Sequence, residues 1–183
     1  MADQSRRADA WLKSQSELSG VGGALNLDKY EVFAARFDLI DHDHVSFFTG
    51  QGRSGLAVRM IAMRFMHMGL EAAVVGEATA PSIQAGDTLV VVSGSGKTPV
   101  SLNFARVAKD VGATVLAVTH QDSSELRDIA DASLVLPVAG TEQFGGTLFE
   151  QSALILLDSI VIDQMVRRRV PHEFMARRHT NFL

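Results

Sequence analysis

The N-terminal part of the chain carries apolar side chains at helical spacing. One such stretch covers residues 5–19 and a second covers residues 27–41, and Gly20, Gly22 and Gly23 lie between them. Within the second stretch the apolar positions form one stripe, made of Leu27, Tyr30, Phe33, Ala34, Phe37 and Ile40. A stripe of this kind is typical of an amphipathic helix. The pattern therefore predicts a helical hairpin at the start of the chain.

After residue 45 the pattern changes to short apolar runs that alternate with helical segments. The predicted strands cover residues 45–49, 72–75, 88–92, 114–119 and 132–136, and the predicted helices cover 54–68, 99–111, 124–130 and 147–168. Continuous runs of valine and leucine are typical of strands that are buried on both faces of a parallel sheet. We predict an α/β fold with a doubly wound, five-stranded parallel sheet in the flavodoxin-like order 2-1-3-4-5.

Length and composition narrow the class of protein. The 183 residues fit one domain, with helices at 1–41, an α/β core at 45–168 and a C-terminal tail at 169–183. The chain has no cysteine, which excludes disulfides and thiol nucleophiles, and its net charge of −4 argues against nucleic-acid binding. The N-terminus has no apolar signal-peptide region, and residues 153–162 are too short and too charged to span a membrane. We expect a cytoplasmic protein without a nucleic-acid or membrane partner.

Two glycine- and serine-rich loops are the candidates for chemistry. The loop GQGRSG at 50–55 follows the first predicted strand, and the loop SGSGKT at 93–98 follows the third. In the order 2-1-3-4-5 these strands are neighbours at the switch point, where open α/β sheets bind ligands. The sequence therefore predicts that the two loops face each other across one crevice.

The residue types in these loops suit a phosphate monoester. Glycine lets backbone N–H groups approach the phosphate oxygens, and the helix that follows each loop offers unpaired N–H donors at its N-terminus. Arg53 or Lys97 could add positive charge, and the hydroxyl donors are Ser54, Ser93, Ser95 and Thr98. Serine and glycine are also common turn and cap residues, so one such loop alone would be weak support. Two loops on adjacent strands favour a binding site.

Other motifs give competing interpretations. GQGRSG also matches the dinucleotide fingerprint G-x-G-x-x-G, with Glu77 near the place of the ribose-binding acid. GSGKT suggests an ATP-binding loop, but the first glycine of that motif would fall at Val91, inside a strand, so this interpretation fails. The cluster DHDH at 41–44 resembles a metal site, although a solvated turn is the simpler explanation. Met60, Met63 and Met66 recur at every third position, which we interpret as core packing.

These segments together resemble the SIS family of sugar isomerase domains. The resemblance rests on VSFFTGQGRSG, LVVVSGSGKTPV and GTLFEQSALILLD. The segment MRFMHMGLEAAVVGE and the closing RHTNFL more narrowly resemble the 6-phospho-3-hexuloisomerases, and the resemblance covers nearly the whole chain. Lys97 departs from the pattern, because such loops commonly carry an acid at that position.

The resemblance implies a function and a set of site residues. Phosphate binding is implied at Ser54, Ser93, Ser95 and Thr98, and weaker substrate contacts are assigned to Gly52, Arg53, Glu77, Gly94, Gly96 and Lys97. It also implies a carboxylate base at Glu150 and a catalytic histidine at His179; in some related isomerases this histidine comes from a neighbouring subunit. The family is commonly tetrameric and uses no organic cofactor, and we expect no metal. By spacing alone, Thr147 and Glu150 instead form a helix capping box.

The implied reaction converts a 3-hexulose 6-phosphate to fructose 6-phosphate through a cis-enediol, as in the ribulose monophosphate route of formaldehyde fixation. One carboxylate can take the proton from C2 and return one to C3, and histidine suits the proton transfer between the oxygens. Three alternatives stay open at this point. They are an aldose–ketose isomerase acting on another phosphosugar, a module that binds sugar phosphate without turnover, and a dinucleotide-dependent oxidoreductase.

Overall fold

A computed structural model describes residues 2–182, with side chains from residue 6 onward; Met1 and Leu183, the two ends of the predicted domain, lie outside the described residues. The helices are α1 (Ala2–Ala24), α2 (Leu27–Ala34), a 3-10 helix (Ala35–Leu39), α3 (Arg53–His67), α4 (Pro99–Asp110), α5 (Glu125–Ile129), α6 (Thr147–Arg167) and α7 (His172–Arg178). The strands are β1 (Ser46–Gly50), β2 (Ala72–Val74), β3 (Thr88–Val92), β4 (Thr114–Thr119) and β5 (Ala132–Val135).

The five strands form one parallel sheet in the order β2-β1-β3-β4-β5, which confirms the predicted fold class. Strands β1 and β3 are paired from Ser46 with Thr88 to Gly50 with Val92. Both strands therefore end at the same level. This register places the loops at 50–55 and 93–98 side by side at the carboxyl edge of the sheet.

The sheet separates two hydrophobic cores because successive strand residues point to opposite faces. Phe48, Val90 and Leu116 belong to the larger core, which also holds the buried faces of α3 and α6. Phe47 and Leu89 belong to the smaller core under α4 and α5. The continuous apolar runs in the sequence thus reflect strands that are covered on both sides.

The N-terminal hairpin is present, but its turn differs from the predicted one. Helix α1 continues through Gly20, Gly22 and Gly23, and the turn lies just before Asn26, whose side chain accepts a hydrogen bond from the backbone N–H of Lys29 at 2.9 Å. A glycine inside a helix costs about 1 kcal/mol relative to alanine. The contacts of α1 with α6 therefore hold it in a helical form that local sequence disfavours.

The segment predicted as a C-terminal tail contains the helix α7. The Phe174 ring packs closely on Gly69, which has no side chain to block it. An ideal Cβ on Gly69 would lie only 3.1 Å from this ring. Met175 is buried, and the guanidinium of Arg178 donates to the carbonyl of Met66 at 2.7 Å. These contacts fix α7 against the C-terminal end of α3.

The core-packing interpretation of the methionines was wrong for Met60 and Met63. Both are nearly half exposed, while the buried face of α3 is made of Ser54, Ala57, Val58, Ile61, Ala62, Phe65 and His67. A spacing of three residues drifts around a helix that has 3.6 residues per turn, so such a series does not stay on one face.

No helix among residues 2–182 is long and apolar enough to cross a membrane.

An aromatic cluster joins the hairpin to the sheet and generates the first prediction. The ring centroids of Phe37 and Phe48 lie 6.1 Å and 5.0 Å from that of Phe65. Phe65→Ala should lower the free energy of unfolding by about 3–5 kcal/mol, because it leaves a cavity in the larger core. Val32→Ala, at an exposed position of α2, should change it by less than about 0.5 kcal/mol. Denaturant titration measures both, and equal losses would contradict this description of the core.

Candidate active site

The loop after β1 folds tightly onto the start of α3. An ideal Cβ on Gly50 would lie 2.8 Å from the backbone carbon of Ser54, and one on Gly55 would lie 2.7 Å from the carbonyl oxygen of Gly50. Gly52 adopts a φ of +59° and occupies the N-cap of α3. Only glycine fits these positions, so the loop delivers the N-terminus of α3, with Ser54 in its first turn, to the edge of the sheet.

The loop after β3 brings two hydroxyl groups together. The hydroxyl oxygens of Ser93 and Thr98 are 3.4 Å apart, and the Ser95 hydroxyl accepts a hydrogen bond from the backbone N–H of Lys97 at 3.2 Å. Thr98 is the N-cap of α4, yet its side chain makes no capping hydrogen bond. The loop thus presents hydroxyl groups at a helix N-terminus, the environment that suits a phosphate anion.

Neighbouring strand ends hold this loop in place. The carbonyl of Gly94 accepts hydrogen bonds from the Thr119 hydroxyl at 2.8 Å and from the backbone N–H of His120 at 3.2 Å. Gly96 has a φ of +61°, and an ideal Cβ there would lie 2.6 Å from the Cβ of Ser124. The loop conformation therefore depends on residues that follow β4.

The start of α6 reaches both loops. An ideal Cβ on Gly94 would lie 3.2 Å from the ring of Phe149, and the Phe149 and His120 ring centroids are 5.5 Å apart. The next residue, Glu150, forms an ion pair with Arg53 of the first loop, and its side chain is only 15% exposed. The structure thus brings Glu150 to the two loops, where a base must lie if the phosphate binds between them.

The alternative role of Glu150 in a capping box was wrong. Gly146 occupies the N-cap of α6 and no side chain caps the helix. The Thr147 hydroxyl instead donates to the carbonyl of Phe144 at 2.7 Å, and the Glu150 carboxylate pairs with Arg53. A full positive charge is a stronger partner for a carboxylate than a backbone amide.

His179 lies far from Glu150 in the same chain. Its ring stacks on that of His67, at a centroid distance of 5.3 Å, at the C-terminal end of α3. Arg53 and Glu150 lie at the other end of this 15-residue helix, which is about 20 Å long. Burial lowers the pKa of His67, and the charges of His179 and of two nearby arginines lower it further. One chain therefore does not bring the two predicted catalytic residues together.

The remaining candidates lie at the margin of the crevice. Lys97 is exposed within the second loop. Glu77 follows β2 at the edge of the sheet, where its carboxylate accepts a hydrogen bond from Arg59 at 2.5 Å. His120 and Phe149 were missed by the sequence analysis, although the position of His120 directly after a predicted strand was a signal for it.

The structure also accounts for the DHDH cluster. The Asp41 carboxylate accepts hydrogen bonds from the backbone N–H groups of Asp43 and His44, at 2.9 Å and 3.0 Å, and contacts the His44 ring. These bonds lower the pKa of Asp41, with the His44 side chain as the largest cause. The cluster is a hydrogen-bonded turn, and the described side chains, from residue 6 to residue 182, include no group of three or more acidic or histidine side chains arranged for a metal ion.

Comparison with known proteins shows the family of the chain. Residues 39–162 match the SIS domain family, and the chain belongs to that family. A 3-hexulose-6-phosphate isomerase from Mycobacterium gastri is 39% identical over 143 residues, which cover 74% of this chain and 72% of that protein. One from Bacillus subtilis is 34% identical over 155 residues, covering 78% and 84%.

One solved structure is similar to this chain over nearly the full length of both chains. The hypothetical protein from Methanococcus jannaschii whose crystal structure infers a molecular function of 3-hexulose-6-phosphate isomerase is 30% identical to this chain. The two structures superpose with a TM-score of 0.85, over 96% of this chain and 99% of that one. The fold and the relatives therefore place this chain in the class of phosphosugar isomerases.

The tight packing at Gly96 generates the second prediction. Gly96→Ala should weaken the binding of inorganic phosphate at least tenfold, because the methyl group would collide with Ser124 and displace the loop. Gly145→Ala is a matched control for the backbone strain, since Gly145 has a φ of +62° but no atom within 4 Å of an ideal Cβ. Calorimetric titration measures both affinities. Equal phosphate binding by Gly96→Ala and the control would contradict a phosphate site in this loop.

Proposed function

We propose that this chain catalyses the isomerisation of 3-hexulose 6-phosphate to fructose 6-phosphate through a cis-enediol. The observation that carries the proposal is the position of Glu150, which pairs with Arg53 of the first loop while the preceding residue, Phe149, packs on the second loop. The names of the relatives support the same reaction.

The phosphate group anchors the substrate in this proposal. Ser93, Ser95 and Thr98 donate hydroxyl hydrogens to its oxygens, and Ser54 contributes from the facing loop. The N-terminus of α4 adds unpaired backbone N–H groups and the positive end of a helix dipole. Local donors of this kind can bind an anion although the protein as a whole has a net charge of −4.

Glu150 is the general base in the proposed mechanism. Its carboxylate takes the proton from C2 of the bound 3-ketose, the C2–C3 double bond forms, and the carbonyl oxygen at C3 gains a proton. The carboxylate then returns a proton to C3 while the C2 hydroxyl becomes the carbonyl. Both carbon positions are reached from one side because the enediol is planar. The ion pair with Arg53 fixes the direction from which the carboxylate approaches.

The transfer of a proton between the two oxygens is assigned to His179 of a neighbouring subunit. Within one chain His179 lies at the far end of α3, in a groove of about 810 Å³ between α3, α6 and α7. Ile162 and Val166 line this groove and are mostly exposed. A groove with such an apolar wall is suited to a second copy of the chain, which would place His179 at a subunit interface.

Helix α6 gives a further reason to propose an oligomer. Apolar residues surround the helix on all sides, and a helix of this kind is normally buried on all sides. Ile155 is exposed on the same stripe as Ile162 and Val166. We extend the proposal to a homotetramer with sites near the subunit interfaces.

We also propose a cytoplasmic location, since phosphorylated sugars are charged and stay in the compartment where they form.

The test of the proposed function is a coupled assay. An aldolase that condenses formaldehyde with ribulose 5-phosphate supplies the substrate, and a reporter dehydrogenase follows the formation of fructose 6-phosphate. Glu150→Gln should lower kcat about 10²- to 10⁴-fold, because the amide cannot accept the C2 proton, while inorganic phosphate binds as before.

Asp163→Asn is the matched control for this variant. It removes a carboxylate near the other end of α6, where Asp163 pairs with Arg167. The control should keep kcat within about twofold of the wild type, since exposed ion pairs contribute little. Lack of turnover by the wild type, with phosphosugar binding intact, would reject the isomerase and favour a binding module. Full activity of Glu150→Gln would reject the assigned base.

A further inference from the structure

A distant residue holds the segment that leads from β5 into α6. Glu17, on α1, accepts hydrogen bonds from three consecutive residues of this segment. Its Oε2 accepts from the Thr141 hydroxyl and from the Gln143 amide, both at 2.8 Å, and its Oε1 accepts from the backbone N–H of Glu142 at 3.1 Å. These bonds, the one from Gln143 first, lower the pKa of Glu17. We call residues 141–143 the strap.

Two hydrogen bonds and one close approach connect the residues after the strap to the Glu150 carboxylate. The carbonyl of Phe144, the next residue, accepts the hydrogen bond from the Thr147 hydroxyl at 2.7 Å. The carbonyl of Gly146 accepts one from the backbone N–H of Glu150 at 2.9 Å. An ideal Cβ on Gly146 would lie 3.3 Å from Oε1 of Glu150, so the carboxylate lies beside Gly146, in the space that a side chain there would enter. A displaced strap would therefore displace the base.

Phe144 packs against almost nothing in the part of the chain that the structure describes. Its side chain is 96% exposed, although it is large and apolar. It lies between the strap and the first turn of α6, two residues before Gly146, which lies beside the Glu150 carboxylate. An aromatic ring at this place can cover a bound sugar and exclude water from the proton transfer.

We propose that Glu17 is a positioning residue for the isomerisation. By fixing the strap it sets the direction of the Glu150 carboxylate and holds Phe144 at the mouth of the site. Glu17 itself touches neither the phosphate loops nor the substrate. The inference rests on the isomerase activity proposed above and adds the N-terminal helix to the machinery of the site.

The first variant for the test is Glu17→Gln. It keeps the size of the side chain but replaces one acceptor oxygen by an amide that faces other donors. We expect kcat to fall at least about tenfold, because a small misplacement of a catalytic group is costly, while the dissociation constant for inorganic phosphate stays within about twofold. Product formed in D₂O should carry more deuterium than wild-type product, because the loosened strap admits water to the proton transfer.

Lys13→Met is the matched control. Lys13 lies one turn earlier on α1 and pairs with Glu142, but both side chains are well exposed, so we expect kcat within about twofold of wild type. Phe144→Ala provides a second test that does not depend on the strap bonds. It should raise deuterium incorporation without lowering the thermal stability, because the ring is exposed in the folded chain.

The outcomes separate this inference from the proposed function. An inactive wild type would contradict the isomerase itself. An active wild type, with unchanged kcat and deuterium content in Glu17→Gln, would contradict only the positioning role. A parallel loss of phosphate affinity and kcat in Glu17→Gln would show a general structural role and also overturn the proposal. A changed oligomeric state in Phe144→Ala would assign the ring to an interface instead of the site.

Discussion

Strands β1 and β3 end at the same height in the sheet, and the candidate site depends on this register. Gly50 and Val92 are partners in the parallel register, so the two chemistry-bearing loops leave the sheet at the same height. Helices α3 and α4 then begin at the same edge of the sheet, on its opposite faces. A shift of this register would separate the Ser54 loop from the Ser93–Thr98 loop and leave no common anion site.

Helix α6 brings a carboxylate to that edge. Phe149 packs on the second loop, and Glu150 pairs with Arg53 of the first, so one helix N-terminus is fixed to both. The other end of the same helix lines the groove that holds His179. On the proposed account, α6 carries the base at one end and part of a subunit interface at the other.

The parts of the fold that depend on local pattern were predictable from the sequence. Residues 88–92 and 114–119 were assigned as strands with the bounds that the structure has, because continuous valine and leucine runs are specific to buried parallel strands. The glycines after residues 45–49 and 88–92 marked the two loops. Side-chain pairs that are distant in sequence could not be predicted in this way.

Three such pairs explain the errors and omissions. The partner of Glu150 lies 97 residues away, so local spacing suggested a cap instead of an ion pair. Helix α7 forms because Phe174 packs on Gly69, which no periodicity in a seven-residue helix reveals. The hydrogen bonds of Glu17 to the strap span more than 120 residues. The loops of the proposed phosphate site were therefore accessible to sequence reasoning, whereas the distant contacts that hold Glu150 and the strap were not.

Complementation between two inactive variants tests the central claim most directly. Glu150→Gln and His179→Gln are purified separately, dissociated, mixed and reassembled, and the isomerase activity is compared with that of each variant treated alone. If Glu150 of one subunit works with His179 of another, mixed assemblies contain intact sites and activity returns. If both residues served the same chain, every site in the mixture would lack one of them. Activity that stays at the level of the separate variants would contradict the shared site.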